Sequence, residues 1–573
     1  MVIISYWHLS CGYASVSKNS KGVMYVKNRI LVLLLLVSAV LTVFACTTIG
    51  VTKGASVDGS TMVTHTCDCG MCDFRIIRTP AMDHPVGSMR PVYVYMDQYP
   101  AYVGLDRGPG WNTPGYEPTK PLGYIPQVPH TYAYFGSSYG IMNEHQLAIG
   151  ECTTGAKIYA MEKENECIFD ISALSRVALE RCKGAEEAVL LMGELGQKYG
   201  YYGWGETLVV ADTEEVWVIE MCGTPDGKSA LWAAQRVPDG EVFVEANHFR
   251  IRDLEEKGQK FHYSSNLKEV AQKEGWWAPG QPLDWTKIVG SGEYGNAYYS
   301  HRRVWRTLDR LAPSLGLSPW VEDTYTTAYP FSVKPEKKLT VADVIDLQRD
   351  WYQGTEFDLS KGLAAGPFGN INRYAGSSKL VKGGWERAIS VFRCAYVFVS
   401  QSRGWLPDPI GGLLWFGPDA PHTSAYVPFY CGMTELPRVY EIGDLHTYDY
   451  ESAGWTFNLM GNWMDLKFSY MIKDVQAKQH EIEDREFAFQ PAIEDAAKQL
   501  YLVSPELAVD FITDYAVNNA NRVVQEWKRF TEKMFAKYID GYVDGNSVGY
   551  PDWWLQKVEF VTGQLAGQYA PNK

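Results

Sequence analysis

The sequence predicts an α+β protein with a helical C-terminal extension. Three observations carry that prediction. Strand-like segments with turn signals recur from residue 46 to about residue 440, helical periodicity occupies separate stretches between them, and beyond about residue 475 the chain is helical and charged. Composition sets the outer bounds. Of 573 residues, 46% are hydrophobic and 21% charged, which excludes a disordered or fibrous chain. The net charge is −14 and the pI is about 5.4. Such a chain lacks the basic footprint of non-specific nucleic-acid binding, so no nucleic-acid partner is expected.

The elements follow in order. Residues 30–44 read ILVLLLLVSAVLTVF, preceded by Lys27 and Arg29, with Val43 and Ala45 before Cys46. This is the charged, apolar and small-residue order of a secretory leader. A span of about 20 residues is needed to cross a bilayer, so this run is short for an anchor. Met24 offers an alternative start, which makes residues 1–23 an upstream artefact. Removing residues 1–45 deletes Lys18, Lys21, Lys27 and Arg29 and takes the net charge to −18. An exported protein, periplasmic or extracellular, is expected, with membrane contact only through the leader. A lipoprotein acylated on Cys46 is the competing reading, and bulky Phe44 fits it poorly.

Cys46 opens the strand CTTIGVT, Asp58-Gly59 turns the chain, and STMVTHT returns it. Residues 102–130, rich in Gly, Pro and aromatics, read as a long loop. Residues 131–152 read as two short strands around Asn143-Glu144. Residues 171–199 read as helix broken near Gly184. TLVVA and VWVIEM form a hairpin about Asp212-Thr213, and VFVEAN is a further strand. Residues 301–312 and 340–352 read as helices, the second opened by Thr340 with Asp343. Residues 385–440 alternate strands with turns. Ser504-Pro505-Glu506 starts a helix that runs to about Tyr538, with Ser504 as its cap.

Four motifs invite chemistry. Gly136-Ser137-Ser138-Tyr139-Gly140 fits a nucleophile elbow, but a helix must follow and a strand does. Gly545-Asn546-Ser547-Val548-Gly549 has no His after it. Gly223 to Ser229 is one residue short of a P-loop and reads as a turn. Cys67, Cys69 and Cys72 with His65 suggest zinc, but no second ligand pair supports it. A disulfide between two of these cysteines, or plain burial, is expected there, and no metal or cofactor. Cys46 is different. Cleavage before it exposes a thiol and an α-amine on one residue. The amine, with a pKa near 7.7, can take the thiol proton, so one residue supplies both nucleophile and base.

From Cys46 onward the blocks CTTIGVTKGASVDGSTMVTHTCD, IPQVPHTYAYFGSSYGIMNEHQLAIGECTTGAK, GYYGWGETLVVADTEEVWVIEMCG, VFVEANHFRIRD and SQSRGWLPDPIGGLLWFGPDAPHTSAYVPFYCG occur in order. Together they resemble the cysteine dipeptidases of the N-terminal-nucleophile hydrolase superfamily, the dipeptidase A and secernin type, over residues 46 to 470. More distant members include penicillin V acylase and bile salt hydrolase. The resemblance implies a four-layer αββα sandwich and hydrolysis of dipeptides or short peptides. With the leader and the helical end read from the residues themselves, the chain divides into a leader at 1–45, a catalytic domain at 46–470 and a mainly helical extension at 471–573. Relatives often assemble, so a homo-oligomer is an expectation.

Carried over residue by residue, Cys46 is the nucleophile and Asp68 holds its amine. Asn247 stabilises the oxyanion, and Arg303, chosen over the adjacent Arg302, supports the site. Thr153 sits near a further oxyanion contact, and Asn143 falls in the same block as a substrate contact. The acylases carry Arg three residues before the Asp. His65 stands there instead, and a different substrate contact or charge balance follows. An amidase acting on a non-peptide acyl amide, and a lipid-anchored surface protein without catalysis, are the alternatives.

Overall fold

The computed structural model describes residues 46–94, 99–293, 298–374 and 386–558. The predicted leader therefore lies outside the described residues. Two antiparallel sheets form the centre. Their strands in chain order are β1 (Thr48–Val51), β2 (Thr61–Thr66), β3 (Ile77–Thr79), β4 (Tyr134–Gly136), β5 (Gly140–Asn143), β6 (Ala148–Thr154), β7 (Gly205–Ala211) and β8 (Val216–Gly223). They continue with β9 (Ala230–Arg236), β10 (Val242–Glu245), β11 (Phe261–Tyr263), β12 (Ser332–Val333), β13 (Tyr396–Ser402), β14 (Leu413–Pro418) and β15 (Val427–Tyr430). The first sheet runs β12-β10-β1-β2-β13-β14-β15, and the second runs β11-β9-β8-β7-β6-β5-β4-β3.

The strands β1, β2, β6, β7, β8, β13 and β14 are buried along their whole length. A strand buried on both faces must be covered twice. One covering is the other sheet. The Thr48 hydroxyl crosses to the Glu151 carbonyl at 2.6 Å. A Cβ on Gly50 would stand 2.7 Å from Val209, and one on Gly150 would stand 2.3 Å from the Thr64 carbonyl. The sheets come close together at these two positions because the residues there have no side chain.

Helices supply the other covering. Against the second sheet lie α1 (Ile171–Arg181) and α2 (Ala185–Tyr199). Asp170 caps α1 through Ala173 N–H at 2.7 Å, and Gly193 in α2 sits flat on the Trp232 ring of β9. Against the first sheet lie α3 (His301–Leu311), α4 (Val341–Gln348), α5 (Phe468–Val503) and α6 (Pro505–Lys537). Gln348 of α4 donates to the His65 and Phe398 carbonyls at 3.2 Å each. Phe487 of α5 packs on Trp415 of β14, with ring centroids 4.7 Å apart. The layers are therefore helix, sheet, sheet, helix, as the resemblance implied. No helix among the described residues is long and apolar enough to cross a membrane.

Two local readings need correction, at 102–130 and at Ser504, and two hold, at 136–140 and at Thr340. The loop expected over 102–130 contains a strand, Pro121–Pro126, paired with Met89–Tyr93. The segment 136–140 is a strand–turn–strand, with Ser137 and Ser138 buried and hydrogen-bonded to the Asp73 carbonyl. Ser504 makes no side-chain cap, because its hydroxyl turns to the Glu506 carboxylate. Thr340 does form its expected capping box with Asp343.

Candidate active site

Cys46 stands at the sheet end that leads into β1 and is buried. Two groups hold its carbonyl. Arg303 donates to it at 2.8 Å, and the Cys152 thiol approaches it at 3.3 Å. The following residue, Thr47, donates its N–H to Thr66 Oγ1 at 3.0 Å. That hydroxyl in turn donates to Asp68 Oδ2 at 3.0 Å. Thr47 faces Thr66 across the sheet, so one hydroxyl links the start of β1 to Asp68.

Asp68 is fully enclosed. Its carboxylate pairs with Arg387, and its carbonyl accepts from Arg393 at 2.7 Å. The other oxygen, Oδ1, is buried without a hydrogen-bond partner among the described residues, while the Cys394 thiol lies against the same carboxylate. Burial pushes the Asp68 carboxyl up, and Arg387, Arg393 and Arg303 pull it back down.

Asn247 follows β10 in a left-handed conformation, with φ 64°. Asparagine tolerates that region better than most residues. The turn aims its amide inward. Nδ2 donates to the Thr153 carbonyl at 2.6 Å, Oδ1 accepts from Arg303 at 2.6 Å, and the backbone N–H meets Cys152 Sγ at 3.2 Å. One amide hydrogen on Nδ2 is committed to Thr153, which leaves a second.

Arg303 ties these parts together. Nε donates to the Tyr299 carbonyl at 3.0 Å, one terminal nitrogen serves the Cys46 carbonyl and Thr47 Oγ1, and the other serves the Ala246 carbonyl and Asn247 Oδ1. A guanidinium has five N–H donors, and all five are placed. Arg302 points elsewhere. It pairs with Glu386 at 2.6 Å and lies over the rings of Tyr298, Trp320 and Phe357.

His65 lies between the two sheets, stacked on Tyr396 and Phe398. Its Nδ1 accepts from the Glu151 N–H at 3.0 Å. A backbone N–H can only donate, so Nδ1 carries no hydrogen and Nε2 does. Burial pushes the imidazole pKa down to about 3, and the ring is neutral. Nε2 faces Glu151 Oε2 at 3.8 Å. Thr153 Oγ1 donates to the other carboxyl oxygen at 2.9 Å. The Cys46 thiol, a His65 ring nitrogen and a Glu151 oxygen lie within 4.8 Å of one another. These three do not make a good cation site. One imidazole nitrogen has given its lone pair to an N–H, and the other bears the proton.

Asn143 was expected at the substrate. Its amide instead donates to the Leu179 and Cys182 carbonyls, and its Oδ1 accepts from His145 and Leu147 N–H. All its capacity serves the turn after β5 and the end of α1, so nothing remains for a ligand. Cys69 and Cys72 form a disulfide, and Cys67 is buried outside that bridge.

Glu151, Thr66 and Arg387 were missed from the sequence. Glu151 did leave a signal, since a carboxylate inside the buried strand AIGECTT demands partners. Arg387 left none, being 319 residues from Asp68.

Known proteins resemble this chain along most of its length. A probable dipeptidase B of Lactococcus lactis subsp. lactis (strain IL1403) is 25% identical over 467 residues, covering 77% of this chain and 87% of that one. Dipeptidase A of Lactobacillus helveticus is 23% identical over 410 residues, covering 69% and 77%. Among solved structures, penicillin V acylase from Agrobacterium tumefaciens matches with a TM-score of 0.28 and 12% identity, covering 68% of this chain and 87% of that one. The family model for peptidase family C69 matches residues 45–481. With a buried cysteine at the head of the first strand and that match over most of its length, the chain belongs to peptidase family C69, the cysteine-type peptidases.

Proposed function

We propose that the protein is an exported dipeptidase whose nucleophile is Cys46 once residues 1–45 are removed. The observation that carries this reading is the clamp on Cys46. Arg303 fixes its carbonyl and the Asn247 amide together, and the Thr66 hydroxyl links the N–H of the next residue, Thr47, to Asp68. The dipeptidase names of the relatives support the substrate class.

The chemistry then runs as follows. The freed α-amine takes the Cys46 thiol proton, and the Asp68 carboxylate holds the resulting ammonium. Sulfur attacks the peptide carbonyl carbon, a C–S bond forms, and the carbonyl electrons move to oxygen. The second Asn247 amide hydrogen receives that oxyanion. The C–N bond breaks as the ammonium returns its proton to the leaving amine. Water attacks the thioester and passes a proton to the amine. The C–S bond breaks, the acid leaves and the thiolate is restored. Peptide substrate is the only partner this requires.

Two measurements test the reading. The intact mass and N-terminal sequence of the exported protein should give a free Cys46, and an acyl adduct on it removes the proposed base. Cys46→Ala should abolish dipeptide hydrolysis while leaving the melting curve in place. Full activity in that variant refutes the proposal.

A further inference from the structure

Glu151 is the buried group that the reaction above leaves unused, and it touches the nucleophile. Its carboxyl lies against the Cys46 thiol between the sheets. Two negative charges in contact in an enclosed space cannot both form at ordinary pH. A thiolate on Cys46 therefore requires a neutral carboxyl on Glu151, and an ionised Glu151 forbids the thiolate. Glu206 on β7 is hydrogen-bonded to this carboxyl, so the two carboxyls hold at least one proton between them. Thr153 Oγ1 donates to Oε1 at 2.9 Å, so Oε1 acts as the carbonyl oxygen. Among the described residues Oε2 has no partner within hydrogen-bond distance, and it lies 3.8 Å from His65 Nε2.

We propose that Glu151 works as a carboxylic acid, keeping its proton through turnover and donating it as a hydrogen bond to the Cys46 thiolate. His65 is then a positioning residue. It holds the Glu151 backbone through Nδ1 and turns Nε2–H toward Oε2, and it stays neutral throughout. A fixed positive charge at that place would strip the proton from Glu151 and defeat its role. The proposal rests on the reading of Cys46 as the nucleophile.

Burial pushes the Glu151 carboxyl up, and the nearby Asp68 carboxylate pushes it further, while hydrogen bonds from Glu206, Thr153 and Cys46 oppose the rise. The other titratable groups facing it are Glu206 on β7, whose carboxyl is hydrogen-bonded to it, His65 on β2, Cys152 on β6, Tyr201 ahead of β7 and Tyr396 on β13. Cys152, Tyr201 and Tyr396 are all pushed up by burial and uncharged at neutral pH. His65 is uncharged as well. Of the two linked carboxyls, Glu151 is the one beside the Cys46 thiol, so its ionisation would set an alkaline limit on the thiolate.

The test uses the processed enzyme, with Cys46 confirmed as the first residue by intact mass. Two readings are taken across pH: kcat/KM on a dipeptide, and the rate of iodoacetamide labelling at Cys46, followed by peptide mapping. In Glu151→Gln the side chain is always neutral and can still donate. This variant should keep kcat/KM within about tenfold of the parent and move the alkaline fall of both readings upward. Glu151→Ala should lose about tenfold to a hundredfold, the worth of one hydrogen bond to an ion. An unchanged alkaline limb in Glu151→Gln overturns the proposal, as does full activity in Glu151→Ala. Because labelling needs no substrate, it answers even where the dipeptide is the wrong substrate. A failure of the dipeptidase reading then shows up separately, as absent turnover in the parent enzyme.

Discussion

Asn247 meets two demands at one position. Its backbone must turn at φ 64°, and its amide must bridge Thr153 and Arg303. Glycine satisfies the first demand and not the second. Asn247→Gly should therefore lower kcat on a dipeptide by about 10²–10³-fold, the usual cost of a lost oxyanion donor, and lower the melting temperature, because the Thr153 carbonyl and Arg303 lose a buried partner. Asn247→Ala should lose the same activity and melt lower still, since alanine resists the left-handed region by about 1–2 kcal/mol. Equal melting of the two variants would contradict the conformational half of this argument. Sequence reading located Asn247 from the surrounding VEANHF but gave no hint of its φ. Arg302 and Arg303 are indistinguishable as neighbours in the sequence. On a helix, about 100° of rotation separates them, and that rotation sends one to Cys46 and the other to Glu386 and a nest of rings. Asn143 misled because a motif says nothing about how many bonds a side chain has already made.

At the level of elements, the segment after β10 carries Asn247 and is pinned from β8. The Glu220 carboxylate accepts the Arg250 N–H at 2.6 Å and the Ile251 N–H at 3.2 Å. Burial pushes its pKa up to about 8. A carboxyl raised in the folded state contributes stability that is complete below its unfolded pKa, near 4.5. That stability is lost as pH rises through about 8. Glu220→Gln removes the titration and keeps an acceptor for the backbone. Its urea stability relative to the parent should rise steadily between pH 5 and about pH 9. A difference that does not vary with pH would refute the role given to burial. The hairpins were readable because alternation and Asp-Gly or Asp-Thr turns act locally. The ribbon inside 102–130 was not, because its Gly- and Pro-rich strand looks like loop and is fixed by a partner thirty residues earlier.

For the molecule as a whole, the layer over the first sheet is held by a buried charge pair. Arg349, just past α4, grips Glu483 of α5 through two bonds of 2.8 and 2.6 Å. It also donates to the Pro421 and Ser424 carbonyls. Glu483 accepts the Tyr426 N–H at 3.0 Å in addition. Glu483→Ala leaves that guanidinium enclosed without its counter-charge, and should cost about 3–5 kcal/mol in denaturant unfolding. A loss under about 1 kcal/mol would mean that the pair is effectively solvated. Strands and helices were legible one by one, but their neighbours were not. β2 pairs with β13, which lies more than 300 residues further along the chain, and only the collapsed layers bring them together. The closeness of those layers at Gly50 and Gly150 has a last consequence. There the two sheets are spaced by backbone against side chain and backbone against backbone, a gauge with almost no give. Gly150 is next to Glu151, and Gly50 is four residues from Cys46. The distance between acid and thiol is therefore set like the gap of a calliper, by its stiffest jaw, and softer contacts elsewhere can vary without reaching it.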